Sequence, residues 1–339
     1  MRIGDNPSKQ GIQAYTPQEL GVALLVYIPS MEGYFAESLN ILKVQIESLH
    51  KNTEVPFDLF VFDNGSCEVV QNELKQLLQD KRITWLHLSS NNLGKTGALN
   101  WLLSALPNPW ICYSDSDTFF RPGWFSKSRE LFETFPDVGV VSCQPNFYDN
   151  IKGPSLAMKN IQEKGYPVLM KCPPPEIVKQ FMHVLGYGED VLDQYLEKKV
   201  PTLQDKQNMD RAYLGACHMQ FLGRREQLQQ ILPLPSNMAL STREDLEFDT
   251  RIDNKGWLRL TTTDFNVIHM GNHLEGAVLK ELQSGEAISD KNKTSASVAS
   301  HKNNLAWRFL VACNRIGFMK KIFKRLYVNL FELYSLEKK

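Results

Sequence analysis

The sequence predicts an α/β fold with a doubly wound, mostly parallel central sheet and flanking helices. Two observations predict it. Short apolar runs alternate with amphipathic stretches through the first third of the chain, the strand-helix rhythm of such a sheet. Turn-forming or acidic clusters then follow directly on three of those runs, at Pro29-Ser30, Asp63-Asn64-Gly65-Ser66 and Asp115-Ser116-Asp117. A doubly wound sheet binds ligands beyond the carboxyl ends of its strands. These clusters are therefore expected to meet in one crevice.

The elements follow in order. Val22–Ile28 (VALLVYI) reads as a strand buried on both faces. Residues 36–51 place Leu39, Leu42, Ile46 and Leu49 at three- and four-residue steps, which predicts an amphipathic helix. Phe57–Phe62 predicts a second strand, stopped by its Asp-Asn-Gly-Ser turn. A helix at Val69–Leu78 and a strand at Ile83–Leu88 come next. The segment Asn91–Ala98 leads into a helix through Ala105, and Trp110–Tyr113 is the strand that delivers Asp115 and Asp117.

From Asn150 to Asp210 the pattern weakens around Cys172-Pro173-Pro174-Pro175. This stretch is expected to be an insertion over the active-site face rather than a continuation of the sheet. Order returns at Gly215–Phe221, Arg243–Gly256 and Phe265–Ile268. The expected organisation is a loose leader (1–20) and a catalytic domain (21–282). That domain divides into a first half (21–145), a variable insertion (150–212) and a second half (213–282). A polar, Ser- and Lys-rich mobile loop (283–303) and a basic amphipathic helical segment (304–339) follow.

Among 339 residues, 38 are basic and 38 acidic, so no net charge draws the chain to nucleic acid. The cysteines, Cys67, Cys112, Cys143, Cys172, Cys217 and Cys313, form no Cys-x-x-Cys pair. Reduced thiols in a cytoplasmic protein are expected. The polar N-terminus lacks the apolar core of a signal peptide, and no window approaches 18 uninterrupted apolar residues. Between Asn304 and Tyr334, apolar residues recur at three- and four-residue steps with Arg308, Arg315, Lys320 and Lys324 among the bases interleaved. Such a segment either makes peripheral contact with an anionic membrane or packs its apolar face on the domain.

Two carboxylates at i and i+2 after a strand, Asp115 and Asp117, can share a hard cation that stabilises a diphosphate leaving group. The competing reading is a solvated turn. Gly94-Lys95-Thr96 mimics the end of a P-loop, but Ser89 stands where the first glycine is required.

Taken in order, the segments resemble glycosyltransferase family 2 and its GT-A relatives. Ile28-Pro29 is similar to that family's opening strand end, and Phe62–Ser66 to its Asp-Asp/Asn-Gly-Ser turn. Asn92–Asn100 (NLGKTGALN) is similar to its Gly-Lys-x-x-Ala-Leu-Asn segment. Asp115-Ser116-Asp117 with Pro122-Gly123-Trp124 resembles its metal motif. Arg243–Phe248 (REDLEF) with Arg251 and Gly256-Trp257 resembles its Glu-Asp helix. The match spans residues 22–145 and 213–272.

The resemblance implies a Rossmann-like GT-A fold and an inverting, non-processive enzyme. Such an enzyme moves a sugar from a nucleoside-diphosphate sugar to a hydroxyl of a saccharide or lipid-linked acceptor, with Mn²⁺ or Mg²⁺ as cofactor. By the same resemblance, Pro29 and Glu32 border the base and ribose, and Asp63 accepts a hydrogen bond from the base. Lys95 lies near the base or phosphates. Asp115 contacts the ribose or metal-bound water, Asp117 ligates the metal, and His269 completes the metal site. Asp245 is the general base. Against these stand plainer roles: Asp63 capping its turn, Lys95 in solvent, Glu244-Asp245 as an acidic first helical turn, and His273 in place of His269. The Gln-x-x-Arg-Trp motif of processive relatives is missing. The competing functions are a nucleotidyltransferase acting on sugar phosphates and a catalytically inactive sugar-nucleotide-binding module.

Overall fold

The computed structural model describes residues 3–6, 11, 14–144, 156–184, 192–207, 209–235 and 244–284. The expected amphipathic segment at 304–339, and the expected mobile loop from residue 285 onward, lie outside these residues.

The first half alternates as its sequence predicts: β1 (Leu20–Val26), α1 (Ser38–Asn52), β2 (Phe57–Asp63), α2 (Glu68–Gln79), β3 (Trp85–Leu88), α3 (Gly94–Ala105) and β4 (Trp110–Asp115). Strands β3, β2, β1 and β4 lie side by side in that order, all parallel. β1 is buried at every position because parallel neighbours flank it and helices cover both faces. Its side chains alternate between the two faces. Leu20, Val22, Leu24 and Val26 pack with Leu39, Leu42, Ile46 and Leu49 of α1 and with Val70 and Leu74 of α2. Ala23 and Leu25 pack with Ala98, Leu99, Leu102 and Leu103 of α3. Register then aligns the strand ends: Leu25 is opposite both Phe62 and Asp115. Asp63 and Asp115 therefore emerge on the same edge of the sheet.

Two local expectations are adjusted here. β3 begins at Trp85 rather than Ile83, because Ile83 donates its N–H to Leu77 and is buried as the anchor of the turn after α2. The last part of the supposed loose leader is tied down: the Gln18 N–H bonds the Asp58 carboxylate at 2.9 Å, and the Tyr15 ring meets Trp85 edge to face.

The second half comprises β5 (Thr118–Phe120), α4 (Trp124–Thr134), β6 (Val138–Ser142), α5 (Leu156–Glu163), β7 (Val168–Lys171), α6 (Pro175–Val184), α7 (Leu192–Leu196), β8 (Val200–Gln204) and β9 (Asp210–Leu214), continuing with β10 (Gln220–Arg224), α8 (Arg225–Gln230), α9 (Glu244–Asn254), β11 (Leu258–Thr262), β12 (Val267–His269) and α10 (Gly276–Ser284). The main sheet runs on from β4 through β10, β6, β11, β9, β8 and β7. β10 is antiparallel to both β4 and β6, and β11 is parallel to β6.

The stretch expected to stand apart from the sheet instead extends it: β7 and β8 add antiparallel strands beyond β9. Their sequences hide this. β7 is a half-exposed edge strand, and Pro201 interrupts β8, so neither shows the apolar run of a buried strand. β5 and β12 form a separate antiparallel ribbon. α10 is docked beside it by Arg121, whose guanidinium holds the Glu281 carboxylate at 2.5 and 2.9 Å. Among the described residues, no helix is long and apolar enough to cross a membrane.

Candidate active site

Two turns close the carboxyl edge of the parallel strands. In the first, Asp63 is fully buried and its carboxylate accepts the Ser66 N–H at 3.2 Å and the Gln71 amide at 3.1 Å. The carboxylate thus holds the turn, the plainer of its two expected roles. Ser66 Oγ in turn accepts the Ile28 N–H, which fixes the end of β1 just before the exposed Pro29 and Glu32. Asn64 accepts the Leu93 N–H at 2.8 Å and so joins this turn to the start of α3. Gly94 sits there at φ 72°, a left-handed conformation that disfavours other residues. The chain can therefore bend sharply before Lys95.

The second turn is Asp115-Ser116-Asp117. The buried Gln45 of α1 donates to Ser114 Oγ at 2.9 Å and to the Asp115 carbonyl at 2.7 Å, clamping the turn from below. The two carboxylates face different partners. Lys95 Nζ lies 3.0 Å from Asp115 Oδ2, and the Tyr113 hydroxyl bonds Asp115 Oδ1. Burial opposes the Lys95 charge, but Asp115, Asp245 and Glu244 outweigh it and hold its pKa above the usual lysine value. Burial and Asp115 push the Tyr113 phenol far up, so it is a neutral donor.

Asp117 instead meets His269, whose Nε2 is 3.1 Å from Asp117 Oδ2. The β5–β12 ribbon makes this contact, with His269 opposite Thr118 and Met270 N–H bonded to the Asp117 carbonyl at 2.7 Å. Burial lowers the His269 pKa, but the Asp117 charge and hydrogen bond, helped by Asp115, raise it above the ordinary histidine value. His273, the rival candidate, lies in the exposed loop beyond and pairs with Glu37 at 2.6 Å.

Asp117 Oδ1 and His269 Nδ1 are both buried without a hydrogen-bond partner among the described residues. Orphaned polar atoms of this kind call for an explanation. A carboxylate oxygen and an imidazole nitrogen are donors suited to a divalent cation, so the pair fits Mn²⁺ or Mg²⁺. No cluster of three or more His, Cys, Asp or Glu able to hold a metal occurs among the described residues. The other positions would fall to phosphate oxygens and water, the usual complement of Mg²⁺. Asp115 is engaged by Lys95 and Tyr113.

The remaining carboxylate, Asp245, lies in the first turn of α9 with a third of its side chain exposed. Its neighbour Glu247 is occupied elsewhere: it pairs with Arg251 at 2.6 Å, and Arg251 bonds the Ile231 carbonyl. One site residue was not anticipated. His218, in the loop before β10, has Nδ1 3.6 Å from Asp245 Oδ1 and Nε2 2.8 Å from Asp249 Oδ1. Its loop is tied to the rest of the site. Lys95 Nζ donates to the His218 carbonyl at 3.3 Å, and the Asp115 N–H donates to the Met219 carbonyl at 2.8 Å. The visible signal was Asp245, Asp249 and Asp253 at four-residue steps, which puts three acids on one helix face.

Comparison with known proteins adds a family match. The family model described as Glycosyl transferase family 2 matches residues 34–232, more than half of the chain. No curated protein matches the sequence. Among solved structures, the chain is similar to the mannosyltransferase PcManGT from Pyrobaculum calidifontis in complex with GDP-Man and Mn²⁺. The identity is 14% and the TM-score 0.45, over 75% of this chain and 57% of that one. It is also similar to GalNAc-T7 with UDP, GalNAc and Mn²⁺, at 11% identity and a TM-score of 0.46, over 75% and 43%. S. aureus TarS 1-349 gives 13% identity and a TM-score of 0.41, over 73% and 58%. The chain spans about half the length of these structures.

Proposed function

The chain belongs to glycosyl transferase family 2, and from that premise we propose that it transfers a sugar from a nucleoside-diphosphate sugar to a hydroxyl group of a saccharide or lipid-linked acceptor. The observation that carries the proposal is the position of Lys95. It bonds Asp115 beside the Asp117–His269 pair, and the charges of Asp245 and Glu244 also support its own. Lys95 thus links a candidate cation site to a separate carboxylate, Asp245, that can take a proton.

In the proposed reaction the residues divide the work. Asp245 takes the proton of the acceptor hydroxyl as that oxygen attacks the anomeric carbon, and the bond from that carbon to the diphosphate oxygen breaks. The products are the glycosylated acceptor and a nucleoside diphosphate, with inversion at the sugar. Asp117 and His269 would hold Mn²⁺ or Mg²⁺, which when bound offsets the charge of the departing diphosphate. Lys95 keeps Asp115 in place and adds positive charge on the same side. Pro29, Glu32 and the turn held by Asp63 would border the base and ribose. We infer that a single sugar is transferred per acceptor, in the cytoplasm.

The test is a thermal-shift and turnover screen of nucleotide sugars with Mn²⁺ or Mg²⁺. At a hundredfold excess over the dissociation constant, a bound donor stabilises the fold by about 2.7 kcal/mol. Release of UDP or GDP supports the proposal. Release of pyrophosphate would point to a nucleotidyltransferase, and binding without turnover to an inactive module.

A further inference from the structure

We propose that His218 is the positioning residue for Asp245: an imidazole that fixes this carboxylate in the orientation from which it receives the acceptor proton. The inference rests on the reading of Asp245 as the base. Asp245, Asp249 and Asp253 line one face of α9, and two side chains from other elements interleave with them. His218 reaches Asp249 at 2.8 Å and Asp245 at 3.6 Å. Arg259, from β11, reaches Asp249 Oδ2 at 2.6 Å and holds both oxygens of Asp253, at 2.9 and 3.1 Å.

This row is graded in exposure. The side chains of Asp245, His218, Asp249, Arg259 and Asp253 are 33%, 12%, 9%, 5% and 6% exposed. Only the outer end, Asp245, reaches solvent to any extent. At the inner end, Arg259 bridges two carboxylates, so one cation serves both anions in the most buried part of the row. Asp249 is gripped by Arg259 on one oxygen, so it cannot swing. The imidazole it holds at Nε2 therefore has a fixed ring plane.

That grip leaves Nδ1 aimed at Asp245, and since both carboxylates accept, the ring holds the two together by an N–H on each nitrogen. Packing alone gives no reason for this direction, since the anchor to Asp249 uses only the far ring nitrogen. A gap of 3.6 Å is longer than a made hydrogen bond. Catalytic contacts are commonly long before substrate binds and tighten in the complex. The backbone of His218 is fixed as well. Gly215 N–H bonds the Arg259 carbonyl at 2.8 Å, Cys217 N–H bonds Ser142 Oγ at 2.9 Å, and Lys95 holds the His218 carbonyl. The base is thus oriented by a buried row that begins on the sheet at Arg259.

The test uses the full chain and two readouts. In protein labelled with ¹⁵N-histidine, Asp245→Asn should shift the His218 Nδ1 resonance, and Asp249→Asn the Nε2 resonance. A His218 ring spectrum unmoved by Asp245→Asn overturns the proposal, and this readout needs no substrate. The second readout is release of nucleoside diphosphate from UDP-glucose, UDP-N-acetylglucosamine and GDP-mannose with Mn²⁺. For any donor turned over, His218→Ala should lower kcat by about tenfold or more at unchanged donor KM. His218→Asn, whose amide replaces Nδ1, should recover part of the loss. His218→Ala should also cost nothing further in the Asp245→Asn background, since a residue acting through Asp245 has nothing left to orient. Equal losses in both backgrounds would mean a structural role and overturn the proposal. Full kcat in His218→Ala, with kcat lost in Asp245→Asn, overturns it while the base reading stands. Full kcat in Asp245→Asn removes the base reading itself.

Discussion

His269 Nε2 lies 3.1 Å from Asp117 Oδ2, and the remaining acceptor atom of each side chain, Asp117 Oδ1 and His269 Nδ1, is buried without a hydrogen-bond partner among the described residues. The two residues face each other across the β5–β12 ribbon. Removing the charged oxygen ligand should therefore weaken metal-dependent nucleotide binding. For Asp117→Ala, the affinity of UDP or GDP in the presence of Mn²⁺ should fall by at least about tenfold, with Asp117→Asn nearly as poor. Calorimetric titration reads this directly. Unchanged affinity in both variants would take Asp117 out of the cation site.

Asp245→Asn separates binding from chemistry. The amide keeps the shape of the side chain but cannot take a proton. Turnover should fall by about 10²–10⁴, the usual contribution of a general base, while donor binding holds. A loss below about tenfold would transfer the role to another carboxylate, with Glu244 next in line.

Lys95→Met should destabilise the fold as well as the reaction. Asp115 is largely buried, and its Oδ2 is bonded by Lys95. Truncating the cation leaves that oxygen facing an apolar chain, at a cost of about 1–3 kcal/mol. Urea unfolding measures it. The double variant Lys95→Met with Asp115→Asn should recover part of the loss, because the stranded charge is gone.

Gly21→Ala tests the close packing of β1 against Asn108. A Cβ there would stand 2.5 Å from Asn108 Oδ1 and 2.7 Å from its Cγ. Asn108 cannot move aside cheaply. It is fully buried, and its amide donates to the Gln18 carbonyl at 3.0 Å and to Asp58 at 2.7 Å. Overpacking of this kind costs about 1–3 kcal/mol. Thermal unfolding of the variant at or above the parent midpoint would contradict it.

Much of the fold was legible in the chain because its signals are short-range. A continuous apolar run such as VALLVYI marks a strand covered on both faces, and the turn residues after Phe62 and Ser114 mark strand ends. Alternation of such runs with helical periods implies parallel neighbours, so Asp63 and Asp115 could be expected at one edge. β7 and β8 carried no such signal, since a half-exposed edge strand and a strand interrupted by Pro201 look like loop.

By itself, then, the sequence determined the succession of strands and helices in the first half and the turns that end its strands. Those depend on residues within a few positions of one another. Tertiary structure decided which partner each acid receives: Asp63 its own turn, Asp115 the amine of Lys95, Asp117 the imidazole of His269, and Asp245 the vicinity of His218. These partners come from different strands and helices. A side chain's contacts across a sheet are set by pairing and register, which no local pattern of residues records.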